Sequence, residues 1–161
     1  MISRMKIRDA VPEDAEAACE TMRRSIAELC AADHHDDPTI LGRWLSNKTP
    51  DIFKSWIKPS NSLLVAVEDG RVLGVGCVTD AAEITLNYVS PDARFRGVSS
   101  TLLEALESRA RSGGNESCRL ASTETARRFY RAKGYFEDGP SDGKFGSAGG
   151  YPMSKRLTVN R

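Results

Sequence analysis

The sequence is poor in the features that build metal sites, disulfide frameworks and membrane spans. It has 2 histidines and 4 cysteines in 161 residues, and the cysteines form no Cys-x-x-Cys pair. No apolar run approaches membrane-spanning length, and the first residues, MISRMKIRD, lack the apolar core of a signal peptide. We therefore expect a cytoplasmic protein whose cysteines are small buried thiols in a reducing compartment.

Two common nucleotide-binding motifs are also absent, the lysine-bearing phosphate loop and the three-glycine dinucleotide turn. A formal net charge of +1 gives no general attraction to nucleic acid or to acidic membranes, so we expect neither as a partner. The chain is most simply one domain over residues 1–161, because that length can bury a full core and no linker divides it.

The most informative segment is residues 83–111. Residues 83–89 are rich in β-branched and aromatic side chains, which predicts a strand. A loop with one proline, Arg94, Arg96 and Gly97 follows, and residues 100–111 have leucines at helical spacing. The start of a helix behind a basic, glycine-containing loop attracts anions, because its first N–H groups have no partner. We predict a site for a phosphate-bearing ligand; an ordinary turn with solvated arginines is the alternative.

The remaining pattern predicts a mixed α/β (α+β) fold with helices on both faces of a central sheet. Asp69-Gly70 joins two strand-like segments and indicates a hairpin. In chain order, the expected elements are a strand at 5–9, a helix to about residue 30, short helices in 33–61, three strands between 62 and 89, the helix at 100–111, a strand at 117–121, a helix at 123–133, and strands from 135 and at 151–158.

The segment 33–61 is a helical insertion that we expect to shape the binding site for a second ligand. It contains Asp33, His34 and His35 in an acidic run, for which a polar loop, a metal site and an acidic rim attracting a cationic substrate are the alternatives. Its two tryptophans, Trp44 and Trp56, suit helix packing, although one could wall a pocket.

Three motifs together resemble the GNAT superfamily of acetyl-CoA-dependent N-acetyltransferases. Residues 94–99, RFRGVS, are similar to its Arg/Gln-x-x-Gly-x-Gly/Ala signature, with Ser99 at the last position. Residues 126–135, ARRFYRAKGY, resemble its second motif, and YPMSKRL resembles its last strand. The likeness extends over residues 4–157. It implies a mostly antiparallel sheet of six or seven strands, splayed between the fourth and fifth.

The resemblance also implies how acetyl-CoA would bind. The backbone from Arg96 to Thr101 would hold the pyrophosphate, the pantetheine arm would run beside the fourth strand, and no metal would be needed. Thr123 stands where the family often has asparagine, which puts that contact in doubt. The implied cofactor residues are Tyr88, Val89, Arg94, Arg96, Gly97, Val98, Ser99, Ser100, Thr101, Thr123 and Arg127.

Two residues match catalytic positions of the family. Tyr130 matches the tyrosine that protonates the departing thiolate, with a core tyrosine as the alternative. Glu83 matches the glutamate that activates the amine through a water, with an exposed or salt-bridged carboxylate as the alternative. Simple alternation predicts that Glu83, Thr85, Asn87 and Val89 share one face of the strand. No covalent acetyl-enzyme is expected, since Cys77 and Cys118 lie in predicted strands with no histidine close to them in sequence.

The resemblance implies direct attack of a primary amine of a small molecule on acetyl-CoA. A protein acetyltransferase acting on lysines or N-termini, and a non-catalytic sensor of coenzyme A, are the alternatives. A homodimer is left open, since family members often dimerise. The acceptor is set by residues 33–61 and 138–150, and the residues we expect to contact it are Thr85, Asn87, His34, His35, Trp44 and Tyr151.

Overall fold

The computed structural model describes residues 4–141 and 150–158, and within them seven strands form a single sheet. The order of neighbours is β1-β2-β3-β4-β5-β7-β6, and β4 and β5 are the one parallel pair in it. The strands are β1 (Lys6–Asp9), β2 (Asn61–Glu68), β3 (Arg71–Thr79), β4 (Glu83–Val89), β5 (Ser117–Ser122), β6 (Phe136–Glu137) and β7 (Tyr151–Arg156). The predicted mixed fold with a mostly antiparallel sheet is confirmed.

Helices cover both faces of this sheet. They are α1 (Ala15–Leu29), α2 (Ala31–His34), α3 (Pro38–Leu45), α4 (Pro50–Ser55), α5 (Val98–Ser112) and α6 (Arg127–Ala132), with short 3-10 turns at Pro12–Asp14 and Pro91–Ala93. Alternate residues of β2 divide between two cores: Leu63 and Val65 pack with α1 and α4, whereas Leu64 and Ala66 pack with α5. The two-residue alternation of a strand thus builds both layers.

The β2–β3 hairpin has the predicted turn. Asp69 and Gly70 both have positive φ, at 51° and 76°. Two positive φ values in a two-residue loop match the right-handed twist of the strands on either side, which is why this dipeptide favours hairpins.

A β-bulge in β4 overturns the simple alternation expected from the sequence. Cys77 of β3 faces Leu86 and the next residue, Val78, faces Ile84, so Thr85 is an extra residue in β4. Because of this insertion, Ile84 packs in the α5 core while Leu86, two residues later, packs in the α1 core. A bulge reverses the faces of all later residues relative to earlier ones.

Helix α5 lies unusually close to β3. A Cβ built on Gly74 would lie 2.8 Å from a Leu102 methyl group, 2.9 Å from Val98 Cγ1 and 3.0 Å from the Tyr88 carbonyl oxygen. A Cβ on Gly76 would lie 3.0 Å from Leu106 Cδ1. The two glycines of β3 therefore allow the helix to approach the sheet at the end where its N-terminus lies.

Two sequence-based boundaries need correction. Helix α5 begins at Val98, earlier than predicted, and α6 begins at Arg127 rather than at Thr123. Most of the loop predicted at 138–150 lies outside the described residues. No helix in the described ranges is long and apolar enough to cross a membrane.

The close approach of α5 predicts that Gly74→Ala destabilises the fold. Its new Cβ meets a backbone carbonyl as well as two side chains, and overpacking of this kind costs about 1–3 kcal/mol. Urea unfolding should show a lower midpoint at unchanged slope. Gly42→Ala is the control, since Gly42 lies in α3 with no atom within 4 Å of a built Cβ. It should be neutral or stabilising, and equal effects of the two changes would contradict the close approach.

Candidate active site

A cavity of about 460 Å³ lies where β4 and β5 separate. In the described residues these strands pair only at Glu83–Arg119 and Ile84–Leu120. Beyond the second pair they diverge, and residues 84–89 and 120–123 line the cavity on opposite sides. Because α1 on one face and α5 and α6 on the other also line it, the cavity passes through the sheet.

The N-terminus of α5 forms one end of this cavity. Its N-cap, Gly97, has a φ of 78° and open space around a built Cβ, and residues 97–100 line the cavity. Gly97 has no side chain to cap the first amides, and its carbonyl oxygen accepts from the amide and hydroxyl of Thr101. The free amides and the positive end of the helix dipole are suited to hold an anion.

The two arginines of the loop before α5 have different surroundings. Arg94 lines the cavity, with its guanidinium 4.6 Å from the ring centre of Phe95, which is 91% exposed. Arg96 instead pairs with Glu68 at 2.7 Å and does not line the cavity. Of the two, only Arg94 adds unpaired positive charge at the cavity wall.

Tyr130 lies at the wall of the cavity and in the core at once. The residue is 6% exposed, and its ring makes edge contacts with Phe129 and Tyr135. Burial raises the pKa of Tyr130 to about 12, partly offset by a hydrogen bond with the Asn87 side chain. The phenol is therefore fully protonated at neutral pH, as a proton donor must be.

Glu83 and Thr85 lie at the end of β4 where it still pairs with β5. Glu83 does not line the cavity, and alternation with Ile84 places it on the α1 face of the sheet. Thr85 lines the cavity, and its hydroxyl contacts the Cys77 thiol in the α1 core. Asn87 lies beyond the bulge, on the same side of the sheet as Tyr130.

Asp33 is fully buried, contrary to the prediction of a polar loop. Its carboxylate accepts hydrogen bonds from the Glu124 amide at 2.6 Å, the Thr125 hydroxyl at 2.6 Å and the Thr125 amide at 3.2 Å. These contacts hold residues 123–126 as a turn and explain why α6 begins only at Arg127. Asp33 thus joins α2 to the segment that leads to Tyr130.

His34 is also fully buried, with both ring nitrogens in use. Nε2 lies 2.9 Å from the Ile26 carbonyl oxygen and Nδ1 accepts from the Asp36 amide at 3.0 Å, so the ring is a neutral Nε2–H tautomer. His35 is exposed, and neither histidine lines the cavity. The structure therefore places both away from the cavity where substrate contacts were expected.

Trp44 and Trp56 pack in the α1 layer. Trp44 Nε1 donates to the Tyr88 hydroxyl at 3.1 Å, and Tyr88, unlike Trp44, lines the cavity. The buried Lys48 ammonium lies 6.0 Å from the ring of Trp56 and 5.9 Å from that of Tyr88. Trp44 therefore supports the cavity wall from behind through Tyr88.

Thr123 lines the cavity, whereas Arg127 and Tyr151 lie outside it. The Thr123 hydroxyl accepts from the Ala126 amide at 3.1 Å. Arg127 pairs with Glu124 and Glu137 and stacks on Tyr151 at 3.8 Å, so its charge is already partnered.

Several cavity residues were not predicted from the sequence. Helix α1 contributes Ser25 and Leu29, Cys30 follows directly after it, and α6 contributes Phe129. The apolar face of α1 looks like ordinary core, and nothing local distinguishes its last turn. Cys30 is buried, which raises the pKa of its thiol to about 12 and makes it a poor nucleophile. In the described part of the chain, no group of three or more His, Cys, Asp or Glu could hold a metal ion.

A family model described as an acetyltransferase (GNAT) domain matches residues 31–157. No curated protein is a significant match to the sequence.

Solved structures of similar fold cover nearly the whole chain. A GCN5-related N-acetyltransferase from Rhodopseudomonas palustris is 24% identical over 98% of each chain, with a TM-score of 0.85. The PaiA N-acetyltransferase of Thermoplasma acidophilum, solved with coenzyme A, is 21% identical over 96% of this chain and 99% of its own, with a TM-score of 0.81. The ribosomal-protein-S18-alanine N-acetyltransferase of Escherichia coli is 19% identical over 98% and 96%, with a TM-score of 0.69. At these identities the likeness shows the fold.

The contacts of Asp33 predict that Asp33→Asn destabilises the protein. An amide has one acceptor oxygen, so at least one donor of residues 124–125 loses its partner at the buried Asp33 side chain, at a cost of about 1–3 kcal/mol. Thermal unfolding should show Tm lowered by roughly 3–10 °C for a chain of this size. Asp36→Asn is the matched control, since Asp36 is exposed and asparagine tolerates its positive φ. Equal Tm values for the two variants would contradict a structural role for Asp33.

Proposed function

The chain belongs to the GNAT acetyltransferase family and is an acetyl-CoA-dependent N-acetyltransferase, and we propose that its acceptor is a primary amine of a small molecule. One observation carries this proposal: a cavity through the sheet, with the N-terminus of α5 at one end and a protonated tyrosine in its wall. The amine would attack the thioester directly in a ternary complex.

The donor half of the cavity fits a pyrophosphate and a thioester arm. Gly97 leaves space for a phosphate beside the free amides of α5, and Arg94 contributes charge. Tyr88 and Val89 line the gap, where β4 has no β5 partner in the described residues. Their backbone groups can bond to an extended arm as they would to another strand.

Tyr130 would act as the acid. A phenol whose pKa is about 12 remains protonated across the neutral range, and it can donate to the sulfur as negative charge develops there. The Cys30 thiol in the same cavity has its pKa raised to about 12, which supports direct attack over an acetyl-cysteine intermediate.

Glu83 would act as the base through a water, since it lies outside the cavity on the α1 face. An alkylamine with a pKa of about 10 is mostly protonated at neutral pH, so a proton must leave before attack. On the α1 face, this carboxylate lies on the side of the sheet opposite to Tyr130. The arrangement suits removal of a proton from the amine on one side and delivery of a proton to the sulfur on the other.

A small acceptor is favoured by the size and lining of the cavity. The cavity, of about 460 Å³, must hold the thioester arm as well as the acceptor, and the space that remains suits a small amine. Arg94 is the one charged side chain among its described lining residues, so no carboxylate there would attract a second cationic group. We expect an amine with an apolar body. The four buried free cysteines support a cytoplasmic location.

A protein acceptor is the second candidate, because one structural neighbour acetylates an alanine of ribosomal protein S18. Thiol release from acetyl-CoA, measured in the presence of panels of amines, amino acids and peptides, distinguishes a small-molecule acceptor from a protein acceptor. Small amines should give turnover that saturates at lower concentration than peptides with free N-termini. Turnover restricted to peptides would overturn the small-molecule acceptor.

The anion site at α5 predicts that Gly97→Asp abolishes coenzyme A binding. The new carboxylate would occupy the phosphate position and repel it, so calorimetry should show affinity lowered at least 100-fold. Gly70→Asp is a matched control: Gly70 has a φ of 76° and open space, as Gly97 does, but lies in the β2–β3 turn. Both variants carry the same backbone strain, so equal loss of affinity in the two would contradict a site at Gly97.

The proposed acid and base predict distinct changes in the pH–rate profile. Tyr130→Phe should lower kcat about 10²–10⁴-fold while leaving the Kd for acetyl-CoA within a few-fold. With its pKa at about 12, wild-type Tyr130 should cause no fall in rate at pH 7–9. Glu83→Gln should lower kcat and remove the acidic limb of the profile.

Phe129→Leu is a control for Tyr130→Phe, because it perturbs the neighbouring ring without removing a hydroxyl. A Tyr130→Phe enzyme with normal kcat would exclude Tyr130 as the acid. An acidic limb that persists in Glu83→Gln would assign the base to another group.

A further inference from the structure

Asn87 has a buried side-chain oxygen without a partner. Among the described residues, its Oδ1 is the one buried side-chain nitrogen or oxygen atom that forms no hydrogen bond. Buried polar groups in folded proteins are nearly always bonded, so an orphan of this kind needs an explanation. Asn87 lines the cavity between β4 and β5, so its side chain lies at the edge of the space that a bound molecule would occupy.

The other end of the same amide meets Tyr130. The two side chains share a hydrogen bond, and since Oδ1 has no partner, Nδ2 is the donor and the phenolic oxygen the acceptor. A donor to the phenolic oxygen lowers the pKa of the phenol. In that contact the Tyr130 oxygen is the acceptor, so its hydroxyl proton stays available for donation to another group. With Nδ2 engaged by Tyr130, Oδ1 is left without a donor among the described residues.

The bulge at Thr85 is what brings these groups together. Without the extra residue, Asn87 would lie on the face where alternation puts Glu83, in the α1 layer. With it, Asn87 lies on the same side as Ile84 and Tyr130, which pack in the α5 core.

We propose that Asn87 is a binding and positioning residue of the acetyl-transfer site, with Nδ2 orienting Tyr130 and Oδ1 accepting an N–H from the bound substrates. This inference rests on the proposed function and adds a residue to it. Two N–H donors can enter the cavity, the attacking amine and an amide of the pantetheine arm.

A neutral amide suits this position better than a carboxylate. A carboxylate beside the amine would stabilise the ammonium form, raise the pKa of the amine and withhold the lone pair that must attack. An amide oxygen can hold one N–H of the neutral amine without that penalty. The same amide keeps its N–H₂ end for Tyr130, which a carboxylate could not do.

Two substitutions separate the ends of the amide. Asn87→Leu removes both hydrogen bonds at similar volume, and Asn87→Asp keeps an acceptor but loses the donor to Tyr130. Steady-state rates would be measured with acetyl-CoA and the amine that gives the fastest thiol release. Asn87→Leu should lower kcat about 10–100-fold, since Tyr130 loses its orientation. Asn87→Asp should lower kcat and move the acidic limb of the pH–rate profile to higher pH.

The same measurements identify the N–H donor. If it is the attacking amine, Asn87→Leu raises the amine KM at least fivefold and leaves the Kd for coenzyme A within twofold. If it is the pantetheine amide, the Kd for coenzyme A rises at least fivefold. Asn115→Leu is the control, because Asn115 is equally half-buried but bonds to the Asp80 and Ala110 carbonyl oxygens at the far end of α5.

The proposal is overturned if Asn87→Leu matches Asn115→Leu in kcat, amine KM and Kd for coenzyme A, or if Asn87→Asp leaves the acidic limb unmoved. A wild-type protein that binds coenzyme A but acetylates no amine would refute the proposed function instead. The nitrogen-15 NMR signals of the Asn87 side-chain amide, identified by their loss in Asn87→Asp, then decide whether Asn87 contacts the bound molecule. They should shift when coenzyme A is added alone or together with an amine, and signals that are unshifted in both cases would overturn the inference.

Discussion

The separation of β4 from β5 is the constraint on which the rest of the site depends. Two parallel strands in the middle of a sheet would ordinarily pair along their length, because unpaired backbone groups in the interior are costly. Here, in the parts of the chain that the structure describes, pairing stops after Ile84, and the edge of β4 that would face β5 has no partner strand. Such an edge accepts an extended ligand as it would another strand, with backbone hydrogen bonds in place of the missing ladder. The cavity is therefore built by the topology of the sheet, and side chains only adjust its walls.

The position of α5 is the second requirement, and it depends on the absence of side chains. Gly74 and Gly76 let the helix approach β3, and Gly97 leaves its first turn uncapped. Since Arg96 is paired with Glu68, much of the attraction for an anion would come from the backbone amides themselves. Backbone amides are fixed by the helix and cannot turn toward another partner, so the site is organised before any ligand arrives.

The sequence predicted those features whose signals are local. The hairpin at Asp69-Gly70, strand β4 and the loop before α5 could be read from neighbouring residues, because turn chemistry and periodicity act over a few positions. The bulge at Thr85 could not, since it depends on how β3 pairs with β4. Neither could the burial of Asp33, whose donors lie at residues 124–125, about 90 positions away. An acidic, histidine-containing run looks solvated until its distant partners are known.

The bulge also has a consequence for the proposed reaction. Acetyl transfer needs a proton removed from the amine and another delivered to the sulfur, and one group cannot easily do both at the same moment. A single inserted residue divides β4 between two faces: Glu83 precedes it on the α1 side, and Asn87 follows it on the side of Tyr130. Because the gap in the sheet is open to both faces, a base and an acid could act on one substrate pair without neutralising each other. In that view the irregularity in β4 separates the two proton transfers, and the divergence from β5 gives both groups access to the thioester.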